Sequence, residues 1–269
     1  MNQALINIFR LPGSWILGFI MHLGRVTLLS MQSIYWMFRG KIFRNHFWQT
    51  LNLVGVQSLP LISFTALFSG MVLVVQVGNQ FMDLGAESYI GGVVGLSLTR
   101  ELSPLMVSII LAARIGSSMA AELGTMKVTE QVDALEVMAT NPVQYLVVPR
   151  VLACCFFTPV LVIYSNVVGI CGGWAVAIGQ IGVNHSLFVE SLIQMVSNYD
   201  FFSGLLKSIA FGFIVAIIGC YKGLSTAGGA KGVGTSTTQS VVIIITSILV
   251  FNYFFSLAFF TYLRLIGRM

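Results

Sequence analysis

Residues 241–262 carry no charged side chain, and long apolar runs recur at about 51–77, 90–120, 143–181 and 201–221. Each reaches the ~20 residues that a helix needs to cross ~30 Å of hydrocarbon. The solvent for most of this chain is therefore lipid. Composition agrees: the 269 residues are 57% hydrophobic and 9% charged, against roughly a quarter charged in an ordinary soluble domain. The fold class predicted is all-α integral membrane, one bundle of about five transmembrane helices. No repeat of 20 to 50 residues, which would signal a solenoid, is visible.

The net charge of +5 does not point to nucleic acid, because the cations sit in short segments between apolar runs and not in a stripe. They read as topology signals. The N-terminus shows no short apolar core followed by a small-residue cleavage site, so the mature chain is expected to begin at Met1. Cys154, Cys155, Cys171 and Cys220 all lie in apolar segments without a C-x-x-C pair, and buried free cysteine behaves as a small hydrophobe.

Along the chain, residues 12–38 are apolar but interrupted by His22, Arg25, Pro12, Gly13 and Gly24, which suits an interfacial or re-entrant helix. RGKIFRNHFW, residues 39–48, mixes Arg39, Lys41 and Arg44 with Phe43, Phe47 and Trp48, as expected at a cytoplasmic headgroup surface. This divides the chain into an N-terminal segment, 1–48, and a membrane domain, 49–269. With the N-terminus inside, Arg10, Arg25, Arg39, Lys41, Arg44, Lys127, Arg150, Lys222 and Lys231 are all cytoplasmic, and the external loops carry Asp83, Glu87, Glu190 and Asp200. Arg264 and Arg268 dissent. Gly91 with Gly95, and Gly169 with Gly173, are spaced for close helix approach, although a chain with 27 glycines produces such spacings by chance.

The second span contains Arg100, Glu101 and Arg114. Arg100 and Glu101 lie about ten residues, ~15 Å, from its outer end. Each charge at that depth costs at least ~2.5 kcal/mol on insertion scales, so both should face a bundle interior or a wet cavity. Adjacent helical residues point about 100° apart, so the two are not expected to pair with each other. Pro104 lacks the amide that would bond the Arg100 carbonyl, which leaves that oxygen free and the helix deformed. Lys207, a turn or two into the fourth span, is the expected partner of Glu101. The set is either a contact surface for an amphiphile headgroup or a structural ion pair locking two helices. Arg114, fourteen residues from Arg100, falls near the same ideal helix face and close to the cytoplasmic surface, where snorkelling or an interdomain contact explains it.

Residues 122–142 read as one short cytoplasmic helix ended by Asn141 and Pro142. Val128, Val132, Leu135 and Ala139 recur on one side, and Glu130, Asp133 and Glu136 on another. Three acids are repelled by an anionic leaflet, so a basic protein partner fits this flank. Residues 223–238 read as a flexible glycine-rich connector. Its sequence lacks the order of a phosphate-binding loop, so the chain should not hydrolyse ATP. His22, His46 and His185 are scattered, and no nucleophile is paired with a base.

LTRELSPL (98–105), AARIGSSMAAELGTMKVTEQVDALEVMATNP (112–142) and GGAKGVGTSTTQSVV (228–242) resemble the MlaE family of ABC-transporter permeases over roughly residues 45–262. The long middle segment is the most specific of the three, and the first 40 residues match only in character. The resemblance implies a permease homodimer in the bacterial inner membrane, multi-pass, with a cytoplasmic N-terminus. It would move phospholipid or a related lipid between inner and outer membranes, in maintenance of outer-membrane lipid asymmetry. Its implied partners are a cytoplasmic ABC ATPase dimer that binds ATP and Mg, a periplasmic MCE-domain lipid-binding protein and a small cytoplasmic STAS-type subunit; the chain itself would need no cofactor, metal or nucleic acid. Arg100, Glu101 and Lys207 would lie around a lipid cavity between two copies. Residues 122–140 would include the helix that couples to the ATPase, with Glu122, Lys127, Glu130, Asp133 and Glu136 on it. Arg264 and Arg268 depart from the family pattern. Competing readings are a membrane-embedded lipid-modifying enzyme and a passive anchoring subunit.

Overall fold

The computed structural model describes residues 2–39 and 44–265, with side chains from Leu17 onward apart from Phe19, residues 44–46 and Leu263. Lys41 and Arg268, with the side chains of Arg10 and Arg44, lie outside the described residues. Regular structure among the described residues is helical throughout. Among the described residues, five helical rods are long and apolar enough to cross a membrane: Phe47–Asp83, Glu87–Val128, Val143–Ile181, Asn198–Leu224 and Gly229–Tyr262.

The chain opens on α1 (Asn2–Arg39), followed by α2 (Arg44–Val54). Pro12, Gly13 and Gly24 do not break α1, which runs through all three as one helix of 38 residues. A glycine costs a helix about 1 kcal/mol, and Val26, Leu29 and Met37 offset this at Gly24 by packing on the core. The first span continues from α2 into α3 (Leu59–Asp83).

The second span is α4 (Ile90–Ser97), α5 (Ser103–Leu111) and α6 (Ser117–Val128), joined by π-helical turns at Leu98–Leu102 and Ala112–Gly116. Those two turns hold Arg100 and Arg114. A π turn inserts one extra residue and breaks the 3.6-residue register. The expectation of one shared face therefore fails: Arg100 meets Asp200 and Phe260, whereas Arg114 meets Leu53, Gln57 and Ser58.

Residues 122–142 are not one helix. Residues 122–128 complete α6, the chain turns at Thr129 and Glu130, and α7 spans Gln131–Val137. Glu130 adopts the left-handed region at φ 60°, a conformation through which a right-handed α-helix does not propagate. Asn141 does not end a helix; its Oδ1 accepts from the amides of Val143 and Gln144 at 2.9 and 3.4 Å and starts the next. That third span has a π turn at Val143–Val147, then α8 (Val148–Val176), which tolerates Pro159 within it. The π turn ends just before Pro149, which has no amide to close an ordinary turn there.

An external-end helix, α9 (His185–Met195), leads to α10 (Asn198–Leu224) and then α11 (Gly229–Leu265). The connector expected at 223–238 shrinks to a few residues, because its Ala, Thr and Ser positions continue α11. Ser240 Oγ donates to the Gly116 carbonyl at 3.3 Å and holds the helix against the π turn that precedes α6.

The glycine spacings mark real approaches. A Cβ on Gly70 would fall on the Gly169 carbonyl oxygen, so α3 and α8 cross backbone to backbone, and a Cβ on Gly91 would meet the Phe188 carbonyl of α9. Two apolar clusters result. One, around Leu111, Ile115, Met119, Val151, Phe211 and Ile244, fills one half of the bundle; the other, around Val74, Val94, Leu98 and Phe188, fills the opposite end. Arg100 and Glu101 fall at the seam between them.

Candidate functional site

Pro104 cannot donate to the carbonyl of Arg100, and the π turn of Leu98–Leu102 ends directly before α5. The freed oxygen accepts a hydrogen bond from Lys207 Nζ at 3.1 Å. The same ammonium donates to Glu101 Oε1 at 2.9 Å and to Ser256 Oγ at 3.0 Å, so its three protons all have acceptors. Lys207 reaches this point because Gly204, one turn earlier on α10, lets the helix close on the Thr99 carbonyl. Lys207 is the expected partner of Glu101, and the structure brings the two together.

Glu101 also accepts from Ser256 Oγ at 2.8 Å and, through Oε2, from Asn252 Nδ2 at 3.0 Å. The pair is asymmetric in exposure: the Lys207 side chain is 2% exposed and that of Glu101 38%. The carboxylate is the open member of the network and the ammonium is sealed behind it. Asn252 Oδ1 is buried with no hydrogen-bond partner.

Arg100 turns to a different partner, as its 100° offset requires. Its Nε donates to Asp200 Oδ1 at 2.6 Å, and its guanidinium lies 5.3 Å from the Phe260 ring centroid. Asp200 is held by the start of α10: its Oδ2 accepts from the amide and hydroxyl of Ser197 at 3.0 and 2.8 Å, a capping box. Two cations and two carboxylates cancel, which is how charge is tolerated at this depth.

Sequence reasoning missed three members. Asp200 reads as an external topology charge, whereas it sits 3% exposed against Arg100. Asn252 and Ser256 are polar residues four apart in an otherwise apolar run, a spacing that puts both on one helix face; that was the available signal.

Beside the network a groove of about 410 Å³ is lined by Tyr253, Ser256, Leu257, Phe260, Thr261 and Arg264 of α11. Ser256 and Phe260 belong to both groove and network. The arrangement offers a carboxylate edge, hydroxyls and aromatic faces next to an apolar wall, which suits a polar group carried on an apolar chain.

The residues expected at the coupling surface separate. Glu122, on α6, pairs with Arg150 Nη2 at 2.8 Å, and Arg150 Nη1 donates to the Leu146 carbonyl at 2.7 Å. Lys127 pairs with Asp133 at 2.5 Å across the turn between α6 and α7. Glu130, Asp133 and Glu136 are exposed, while Val132 and Leu135 pack α7 on the core. Val137 and Met138 stand out at the end of α7, 88% and 66% exposed. Arg114 binds within the chain, donating to Ser58 Oγ at 2.6 Å and Gln57 Oε1 at 2.9 Å.

The fold and this site define a class: a multi-pass helical membrane protein with a neutralised charge network at mid-depth, open on one side. Residues 47–258 match the family model described as permease MlaE. Over 218 residues the chain is 46% identical to a probable ABC transporter permease protein of Synechocystis, covering 81% of this chain and 83% of that one. It is 42% identical over 249 residues to a probable ABC transporter permease protein of Rickettsia typhi, covering 93% and 96%. It is also 37% identical over 235 residues to the chloroplast protein TRIGALACTOSYLDIACYLGLYCEROL 1 of Arabidopsis thaliana, covering 87% and 67%. The chain belongs to the MlaE permease family and is a permease subunit of an ABC transporter.

Proposed function

We propose that this permease moves phospholipid or a related lipid between inner and outer membranes, with outer-membrane lipid asymmetry as the purpose. The observation that carries the reading is the half-open carboxylate of Glu101, held at mid-depth by Lys207, Ser256 and Asn252 beside the α11 groove. A purely structural ion pair has no need of an exposed member. The relative from Arabidopsis bears the name of a galactolipid, which also favours a lipid cargo.

Two copies would pair to enclose the chamber, since the fifth span has only 11% of its apolar window buried within one chain. ATP with Mg would be bound and hydrolysed by a cytoplasmic ATPase dimer docked on α7 and the turn before it, where Glu130, Asp133 and Glu136 are exposed to basic residues and Asp133 already holds Lys127. A periplasmic MCE-domain protein would receive or deliver lipid, and a small STAS-type subunit would attend the ATPase. The bacterial inner membrane with the N-terminus cytoplasmic fits the charge distribution: Lys127, Arg150, Lys222 and Lys231 lie near one end of the bundle, and Asp83, Glu87 and Glu190 at the other. Residues 1–48 would then form the interfacial segment and 49–269 the permease domain.

The test is mass spectrometry of lipid bound to the purified complex, together with lipid transfer to acceptor vesicles. Glu101→Gln keeps the shape and removes the charge. We expect transfer to fall at least ten-fold, the effect of losing charge-assisted hydrogen bonds. Wild-type occupancy and transfer in that variant would remove the carboxylate from the mechanism.

A further inference from the structure

Arg264 is unexplained by the network. The segments at its end of the bundle, 84–86 and 182–197, contain no lysine or arginine. Arg264 stands there, exposed on the last turn of α11, without an ion pair or hydrogen bond to another of the described residues. A cation at a helix C-terminus gains about 0.3 to 1 kcal/mol from the helix dipole. That term accounts for a cation in the last turn and says nothing of its place in a groove.

Its place is specific. Tyr253, Ser256, Leu257, Phe260, Thr261 and Arg264 recur every three or four residues and line the groove of about 410 Å³. Ser256, at the deep end, touches Glu101. Arg264 is eight residues further, ~12 Å along the helix axis, at the mouth. Between them lie the apolar side of Leu257, the Phe260 ring that carries Arg100, and Thr261, whose hydroxyl donates to the Leu257 carbonyl at 2.8 Å and keeps an acceptor free. The groove therefore presents a guanidinium without a counter-ion among the described residues, and an apolar wall running inward from it. This is the orientation a lipid already has in its leaflet.

We infer that Arg264 is a specificity-determining residue of the groove, holding the phosphate of an anionic lipid headgroup at the mouth before the amphiphile reaches the mid-depth network. A planar guanidinium matches phosphate in a two-pronged contact and is weakly hydrated. Inorganic phosphate has nothing to place against Leu257 and Tyr253, so the ligand is the lipid. The inference rests on the groove being the lipid path.

The experiment titrates the delipidated full-length protein with phosphatidylglycerol and, separately, with diacylglycerol of the same chains, read by native mass spectrometry. Wild type should retain phosphatidylglycerol over diacylglycerol. Arg264→Gln should lower phosphatidylglycerol retention about ten-fold, the size of one charge-assisted hydrogen bond, with diacylglycerol unchanged; Arg264→Lys should recover most of the loss. Unchanged phosphatidylglycerol retention in Arg264→Gln overturns the inference. So does displacement of phosphatidylglycerol by millimolar inorganic phosphate, which would mark a free-ion site. If Glu101→Gln loses retention and Arg264→Gln keeps it, the lipid reading stands and the role of Arg264 falls. If wild type retains neither lipid, both fall.

Discussion

At the residue scale the governing fact is that each ion has its own counter-ion. Arg100 and Glu101 are neighbours in sequence, yet one is answered by Asp200 and the other by Lys207. Removing one member of such a pair leaves an uncompensated charge, a loss of 3 to 5 kcal/mol in buried settings. Arg100 is 19% exposed on its side chain, so Asp200→Asn is expected to lower stability by about 3 kcal/mol, near the low end of that range. Thermal melting of the purified protein checks this, and adding Arg100→Gln should recover part of the loss. A melting temperature unmoved by Asp200→Asn would show that the guanidinium does not depend on this carboxylate. Arg100, Glu101 and Lys207 are legible in the sequence because charge in an apolar run is conspicuous. Asp200 is not, because an acid at the edge of a span has an ordinary topological explanation; only its capping of α10 aims it inward.

At the element scale the second span owes its contact with Lys207 to a defect. Pro104 removes one amide, the turn before it widens, and the carbonyl so released becomes a ligand for Lys207. Pro104→Ala supplies the missing amide. In an ordinary helix this change is stabilising, since an interior proline costs about 3 kcal/mol. Here the new amide competes with Lys207 for the Arg100 carbonyl and rewinds the turn that aims Glu101. The expected outcome is a protein no more stable than wild type and defective in lipid transfer; a gain in melting temperature with normal transfer would show the π turn to be incidental. The free carbonyl follows from the sequence, but the π geometry does not, because a proline can also be absorbed without one, as Pro159 is in α8. The break at Glu130 was equally hidden: a left-handed conformation is uncommon outside glycine, and nothing in the residue type announces it.

At the scale of the whole molecule, α11 is the least buried by its own chain of the five membrane-spanning rods. Leu249, Val250, Tyr253, Phe254 and Leu257 are each about half exposed or more, and lipid or a second copy must cover them. With two copies facing there, a cysteine at 254 would meet its counterpart. Phe254→Cys in a Cys171→Ser background, which removes the exposed native thiol, is expected to give a covalent dimer on mild oxidation in membranes. A chain that stays monomeric on that assay, with a cysteine at 250 behaving alike, places the second copy elsewhere.

The sequence by itself determined the solvent, the number of crossings and the positions of three intramembrane charges, because burial in hydrocarbon sets helix length and makes every charge costly. Tertiary structure alone decided which ions pair and which carboxylate stays open. Those outcomes depend on contacts between residues about a hundred or more positions apart, such as Glu101 with Lys207, Asn252 and Ser256. They depend also on close crossings like Gly204 against Thr99, and no local pattern encodes the register of one helix against another.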